Sequence, residues 1–300
     1  MCESPARAVD ARYRSHHLCP VVGWARTETR APGRGRHSRS RGTWRKPVSR
    51  ERPVALVTAA AGAGIGASVA RQLAADGLDV VVTDAHERRC GEFAAALGEE
   101  FGRPFDSHAL DVTDHDQVEA VVGAVARSKG GVDVLVNNAG WSKIEPVAEM
   151  SIETWQRCLD VDLTGTFVCM RHVLPLMIAD GGGSIVNISS IAAWEMSTEH
   201  GAAYSAAKAG VLALTRVAAA ENGPHGVRVN AVAPGLIYNN FLRKIYPEEF
   251  FDDYIDTKAF LGRIGQPGDI SDMVSFLASD RAGYITGEVF TVSGGVSARG

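Results

Sequence analysis

The sequence predicts an α/β fold, a doubly wound parallel sheet in a single domain over residues 51–300, behind a basic segment at 1–50. Three observations predict it. Short Val/Ile/Leu-rich runs recur from Arg52 onward. They are apolar throughout rather than alternating, as strands covered on both faces must be. Longer stretches of helical pattern separate them, which is the signature of parallel strands joined by helices.

Taken in order, "PVALVTA" (53–59) reads as the first strand and "IGASVARQLAADG" as the helix behind it. "LDVVVTD" (78–84) follows, with a helix from His86. "DSHALDV" (106–112) precedes the helical "DHDQVEAVVGAVARSKG", and "VDVLVNN" (132–138) precedes a long helix near 152–179. "GSIVNISS" (183–190) leads to a helix near 202–222, and "GVRVNAVA" (226–233) and "EVFTVSG" (288–294) complete the sheet. Residues 236–262 crowd aromatics, Tyr246 and Phe260 among them, beside five acids. They read as a mobile lid with an apolar inner face.

Composition narrows the function classes. With 45% apolar and 22% charged residues the chain is an ordinary globular protein. It has no run of about 18 apolar residues and no apolar leader, which predicts a cytoplasmic protein without a membrane partner. The five cysteines are scattered and lack CxxC, and no HExxH occurs, so reduced thiols and no metal site are expected. The net charge of −4 hides an asymmetry, because residues 1–50 hold twelve Arg or Lys against three acids. That segment, rich in Arg, Gly, Ser and Pro, reads as disordered. Its composition fits a nucleic-acid arm or a transit peptide. We read it instead as a dispensable tail or a start assigned too far upstream, and expect no nucleic-acid partner.

The chemistry begins at "TAAAGAGIG", between the first strand and its helix. Gly62, Gly64 and Gly66 let the backbone approach a pyrophosphate at a helix N-terminus, whose free amides favour an anion. Such a loop makes the fold Rossmann-like. Asp84 ends the second strand, eighteen residues past Gly66, where an acid accepts from ribose hydroxyls and repels a 2′-phosphate. NAD is therefore expected over NADP, a preference that Arg88 or Arg89 could soften; Asp84 can also be read as a plain helix cap. In "AAYSAAKAGV", Tyr204 and Lys208 stand one helical turn apart. A neighbouring ammonium favours the phenolate, and bringing a tyrosine to a pKa of ~7 takes roughly 4 kcal/mol. Alone, the pair reads equally as a surface Tyr and Lys.

Five motifs together carry more. The glycine loop, "NNAG" (137–140), "NISS" (187–190), "YSAAK" (204–208) and "NAVAPG" (230–235) resemble, in order and spacing, those of the short-chain dehydrogenase/reductase family, over residues 52–295. The resemblance implies that Tyr204 is the general acid/base. Lys208 would lower its pKa and hold the nicotinamide ribose, and Ser190 would polarise the substrate oxygen. It implies a cofactor site of Thr58, Gly62, Gly64, Ile65, Gly66, Asp84, Asp111, Val112, Asn138, Ala139, Gly140, Tyr204, Lys208, Pro234, Gly235 and Ile237. Asp111 would contact adenine, and the Pro234–Gly235 turn would back the nicotinamide. The family forms dimers or tetramers through the helices near 152–179 and 202–222 and the last strand, so a homo-oligomer is expected.

Four departures qualify the resemblance. The family loop reads TGxxxGxG, whereas Ala59 follows Thr58 and one extra residue precedes Gly64, which predicts a bulge. In "DVDLTGTF", Asp162 occupies the place of a catalytic asparagine. A charged Asp162 would pair with Lys208 and blunt its effect on Tyr204, or else hold the water of a proton relay. Ser190 and Tyr204 are fourteen positions apart, one more than is commonest, and Asn239 replaces a threonine after the PG turn.

Substrate choice should lie in loops 141–146, 192–201 and 236–262, with Trp141, Trp194, Tyr238 and Phe241 as pocket walls. They suit an apolar ketone or secondary alcohol: a steroid, a terpenoid or an acyl chain. The loop and "DAHERR" resemble bacterial members assigned to steroid-ring and acyl-CoA degradation, and the chain also resembles 3-oxoacyl carrier-protein reductases, which use NADPH. A different class, a non-catalytic NAD-binding sensor or scaffold, is favoured only by Asp162.

Overall fold

The computed structural model describes residues 50–196, 198–239, 242 and 247–297. The basic segment up to residue 49, Phe241 and Tyr246 lie outside them. The sheet contains β1 (Val54–Val57), β2 (Asp79–Asp84), β3 (Ser107–Ala109), β4 (Val134–Asn137), β5 (Gly183–Ile188), β6 (Val227–Pro234) and β7 (Val289–Val292). Every pairing is parallel, in the order β3-β2-β1-β4-β5-β6-β7. The helices are α1 (Ile65–Ala75), α2 (Glu87–Phe101), α3 (His115–Lys129), α4 (Ile152–Leu159), α5 (Gly165–Ala179), α6 (Ala202–Asn222), α7 (Glu248–Thr257) and α8 (Pro267–Ala278). A π-helical turn, Asp160–Thr164, joins α4 to α5.

Alternation along β1 shows why its run is wholly apolar. Ala55 and Val57 enter one core with Leu73 of α1, Leu97 of α2 and Leu277 of α8; Val54 and Leu56 enter the other with Val122 of α3 and Val173 of α5. Both faces are dry, so a polar residue on either would be buried. The rod from Ile152 to Ala179 is long and apolar enough by composition to cross a membrane, yet its Val168, Val173 and Met177 belong to that second core.

Two predicted boundaries change. The third strand stops at Ala109, because the Asp111 carboxylate accepts the Thr113 N–H (2.9 Å) and hydroxyl (2.7 Å) and curls the chain. The predicted lid contains α7, which buries Phe251 and Tyr254 while Phe260 stays exposed. Only part of its aromatic content faces outward.

The sheet reverses direction between β1, which continues to β2 and β3, and β4, which begins the other half. In open α/β sheets the crevice at that reversal, beyond the carboxyl ends of the strands, is where ligands sit. Thr58 and the 138–140 turn lie there.

Candidate active site

The turn after β1 is locked to the turn after β4. Thr58 Oγ1 accepts the N–H groups of Asn138 (2.9 Å) and Ala139 (3.1 Å), and the Asn138 amide donates to the carbonyls of Thr58 and Ala59. The extra residue is absorbed at Ala59, whose φ of +49° is left-handed. A side chain there costs ~1–2 kcal/mol. Gly66 sits so close beneath that a Cβ would come within 2.3 Å of the Ala59 carbonyl oxygen, which explains the glycine.

This loop fits a dinucleotide. Gly64 begins α1 without a side-chain cap and no acid occupies the first turn, so its amides are free to face an anion. Nothing lies within 4 Å of where a Cβ on Gly62 (φ +140°) or Gly64 would stand, leaving room for a pyrophosphate. Ile65 is half-buried against the core. Asp84, at the end of β2, accepts the His86 N–H (3.0 Å) and pairs with Arg89 at 3.1 Å. Arg88 instead turns to Glu92, at 2.9 Å. The cap of α2 is His86, so the simple capping reading of Asp84 is only half met.

Asp111 is exposed, while Val112 is buried against Gly165, where a Cβ would meet Val112 Cγ2 at 2.7 Å. Pro234 ends β6, and Gly235 is pressed against Ser293, whose Cβ would lie 2.9 Å from one on the glycine. Ile237 points into the core and bridges Gly265 through its backbone, so any contact it makes to a ligand is through main chain.

The fourteen-residue spacing does not separate Ser190 from Tyr204. Ser190 follows β5, accepts the Ala192 N–H at 3.1 Å and hydrogen-bonds Tyr204. Lys208 is buried one turn beyond Tyr204, its Nζ 5.4 Å from the phenol ring centroid, and donates to the Ile188 carbonyl at 3.0 Å. Asp162 is fully buried in the π-helical turn and meets Lys208 Nζ at 2.9 Å, without the alignment of a hydrogen bond. Its other oxygen accepts the Trp141 N–H at 2.8 Å. Of the two expectations for Asp162, the direct ion pair is the one found.

The electrostatics correct another expectation. Burial pushes the Tyr204 phenol above its ordinary value; Lys208 acts downward as expected, but Asp162 opposes it and the net shift is upward. Burial works against the Lys208 charge, yet Asp162 together with Tyr204 and Cys158 holds the ammonium above its ordinary value.

On the substrate side, the Trp141 ring packs against the Arg157 guanidinium of α4 at 4.7 Å, and Trp194 donates its indole N–H to Ser297 Oγ at 2.8 Å. Tyr238 is half-buried, its N–H donating to the Gly265 carbonyl at 2.7 Å. Asn239 accepts the Leu242 N–H at 3.1 Å.

Several supporting residues escaped the sequence reading. Ser189 donates to the Lys208 carbonyl at 3.0 Å, tying α6 to β5. Behind it runs a buried chain, the Asn137 amide donating to Asn187 (2.8 Å) and the Asn187 amide to Thr215 (3.0 Å). The Tyr254 hydroxyl accepts the Leu236 N–H at 3.1 Å and so braces the PG turn. Asn187 and Ser189 lie within "NISS" and could have been suspected; nothing in the sequence marks Thr215 or Tyr254.

A family model described as enoyl-(acyl carrier protein) reductase matches residues 59–297. The chain belongs to the short-chain dehydrogenase/reductase family. It is 45% identical over 244 residues, 80% of this chain and 91% of the relative, to the (5R,7aS)-5-hydroxy-7a-methyl-1-oxo-2,3,5,6,7,7a-hexahydro-1H-indene-carboxyl-CoA reductase of Mycobacterium tuberculosis. It is 40% identical over 245 residues, 81% of this chain and 97% of the relative, to a 3-oxoacyl-[acyl-carrier-protein] reductase of Staphylococcus aureus. The crystal structure of a short-chain dehydrogenase from Mycobacterium smegmatis superposes with a TM-score of 0.71 at 38% identity, over 85% of this chain and 95% of that one. This short-chain dehydrogenase/reductase is thus an oxidoreductase acting on CH–OH groups and their ketones, in a family that uses NAD or NADP.

Proposed function

We propose that the chain is an NAD-dependent oxidoreductase that interconverts a secondary alcohol and a ketone on a mostly apolar, ring-bearing substrate. The observation that carries the reading is the convergence of Ser190, Tyr204 and Lys208 beside the Gly140 turn, which is itself tied to Thr58 before the glycine loop. Bound NADH would supply a hydride to the carbonyl carbon. Tyr204 gives its phenolic proton to the carbonyl oxygen as charge builds there, and the phenolate then recovers a proton from water. Ser190 donates to the same oxygen and fixes its position, and alcohol oxidation runs these steps in reverse.

NAD is favoured because the Asp84 carboxylate stands at the end of β2 and would repel a 2′-phosphate. Arg89 is engaged by that carboxylate at 3.1 Å. A ring substrate is favoured by the M. tuberculosis relative, whose name specifies a methylated hexahydroindene with a ring hydroxyl. The aromatic Trp194 and Tyr238, both half-buried, suit such a skeleton. A second reading, a 3-oxoacyl thioester reductase using NADPH, draws on the S. aureus relative. A homo-oligomer in the cytoplasm, without membrane or nucleic-acid partners, is part of the proposal.

The deciding test is absorbance-monitored hydride transfer by the full chain. NAD(H) and NADP(H) are each offered with cyclic alcohol–ketone pairs and 3-oxoacyl thioesters. We expect turnover with NAD(H) on a cyclic pair, reduced ~10²–10⁴-fold in Tyr204→Phe. NADPH-dependent reduction of 3-oxoacyl thioesters alone would favour the second reading, and cofactor binding without turnover on any pair would favour a sensor.

A further inference from the structure

We infer that Asp162 is a built-in counter-charge for Lys208 that weakens the pull of the ammonium on the Tyr204 proton, so that near neutral pH the site is armed to give a proton to a ketone and alcohol oxidation needs a more alkaline medium. The inference rests on the alcohol–ketone reading above and adds to it how the two directions divide over pH. Asp162 is a positioning residue in this scheme, acting through Lys208.

The geometry carries it. Lys208 Nζ donates to the Ile188 carbonyl at 3.0 Å and lies 2.9 Å from the Asp162 carboxylate. The ammonium is thus shared among the Ile188 carbonyl, the Asp162 carboxylate and the face of the phenol, 5.4 Å from its ring centroid. The carboxylate cannot swing aside, because its second oxygen is held by the Trp141 N–H at 2.8 Å. It packs closely over Gly140, where a Cβ would stand 3.0 Å from Asp162 Oδ1. Neither side chain of the pair meets water, so no solvent screens the pair.

The charge inventory around the phenol is short. Its own helix contributes Lys208, the π-helical turn Asp162, α4 the Cys158 thiol, and the end of β5 the neutral Ser190 hydroxyl. Burial and then Asp162 push Cys158 to about 12, so it stays an uncharged thiol in the working range. One cation and one anion remain, and they touch. At the phenol the carboxylate therefore offsets part of the ammonium's pull on the proton.

An isosteric asparagine separates this from a packing role. Its amide keeps an acceptor for the Trp141 N–H but removes the negative charge, and an N–H directed at the ammonium would drive Lys208 toward the phenol. The test is an ultraviolet difference titration of Tyr204 in the cofactor-free full-length protein, with Tyr204→Phe as the blank, beside pH–rate profiles in both directions. Ionisation of Tyr204 in Asp162→Asn about one pH unit or more below the wild type, with the rising limb of alcohol oxidation displaced equally, is expected. Identical Tyr204 titrations in the two proteins would overturn the inference. Thermal melting and NADH fluorescence establish that the variant is folded. If it is not, the wild-type curve decides, since a phenolate already formed at about pH 7.5 contradicts a weakened pull on the proton and its absence agrees with one. Failure to turn over any alcohol or ketone would sink the reaction reading, yet the titration needs no substrate and would still decide this point.

Discussion

Asp84 and Asp162 are two acids of one site, each paired with a base near 3 Å, and they do opposite things with the pair. Asp84 closes β2 with a side chain 10% exposed against an Arg89 that is 46% exposed. Asp162 is 0% exposed against a Lys208 at 4%. Water screens the first pair and leaves both partners able to exchange each other for a ligand. It is all but shut out of the second, where the two charges and the backbone groups that hold them compensate one another. The same pairing chemistry therefore reads as recognition at the rim and as electrostatic tuning in the interior.

The sharpest way to break this comparison is to remove each acid in turn. Asp162→Ala strands a buried ammonium and should cost ~3–5 kcal/mol in unfolding free energy. Asp84→Ala, losing a screened pair, should cost ~1 kcal/mol or less. Equal shifts in denaturant midpoint would show that burial does not divide the two. Asp84→Ala should instead appear in cofactor choice: with the carboxylate gone and Arg89 released, the NADP(H)-to-NAD(H) ratio of kcat/KM should rise ~10–100-fold, the value of a charge-assisted hydrogen bond.

Proton linkage sharpens the contrast further. Tyr204 and Lys208 are both held above their ordinary values of 10.0 and 10.5. A raised folded value means that the unfolded chain releases its proton first. Their contribution is therefore complete below about pH 10 and is lost as pH climbs past it. Urea unfolding at pH 8 and at pH 10.5 should show the fold weakening, and less so in Tyr204→Phe. The smallest effect concerns the loop: Ala59→Gly relieves a left-handed alanine and should raise stability by about 1 kcal/mol, visible as a Tm rise of a few degrees. A fall would mean that the Ala59 bulge is held by contacts of its methyl group.

The fold was legible because both of its signals are local. Apolar runs such as "VALV" and "DVVVTD" report burial on two faces, and the glycine loop reports a strand-to-helix turn. The end of β3 was less legible, since the Asp111–Thr113 turn competes with strand extension by a side-chain bond that periodicity does not register. The lid was partly misread for a related reason: Phe251 and Tyr254 look like the aromatics around them until α7 turns them inward.

The sequence by itself indicated the parallel sheet, because apolar runs between helices are local signals, and its motifs marked Ser190, Tyr204 and Lys208 as candidates through their resemblance to a family. The tertiary structure decided which of the two expectations for Asp162 holds, the ion pair with Lys208. Asp162 lies 46 positions before Lys208, and only the crossing of the π-helical turn over α6 brings their charges together in a dry interior. How far that lysine lowers the phenol's proton affinity depends on this contact. It is a matter of distance and dielectric, neither of which is written in the order of residues.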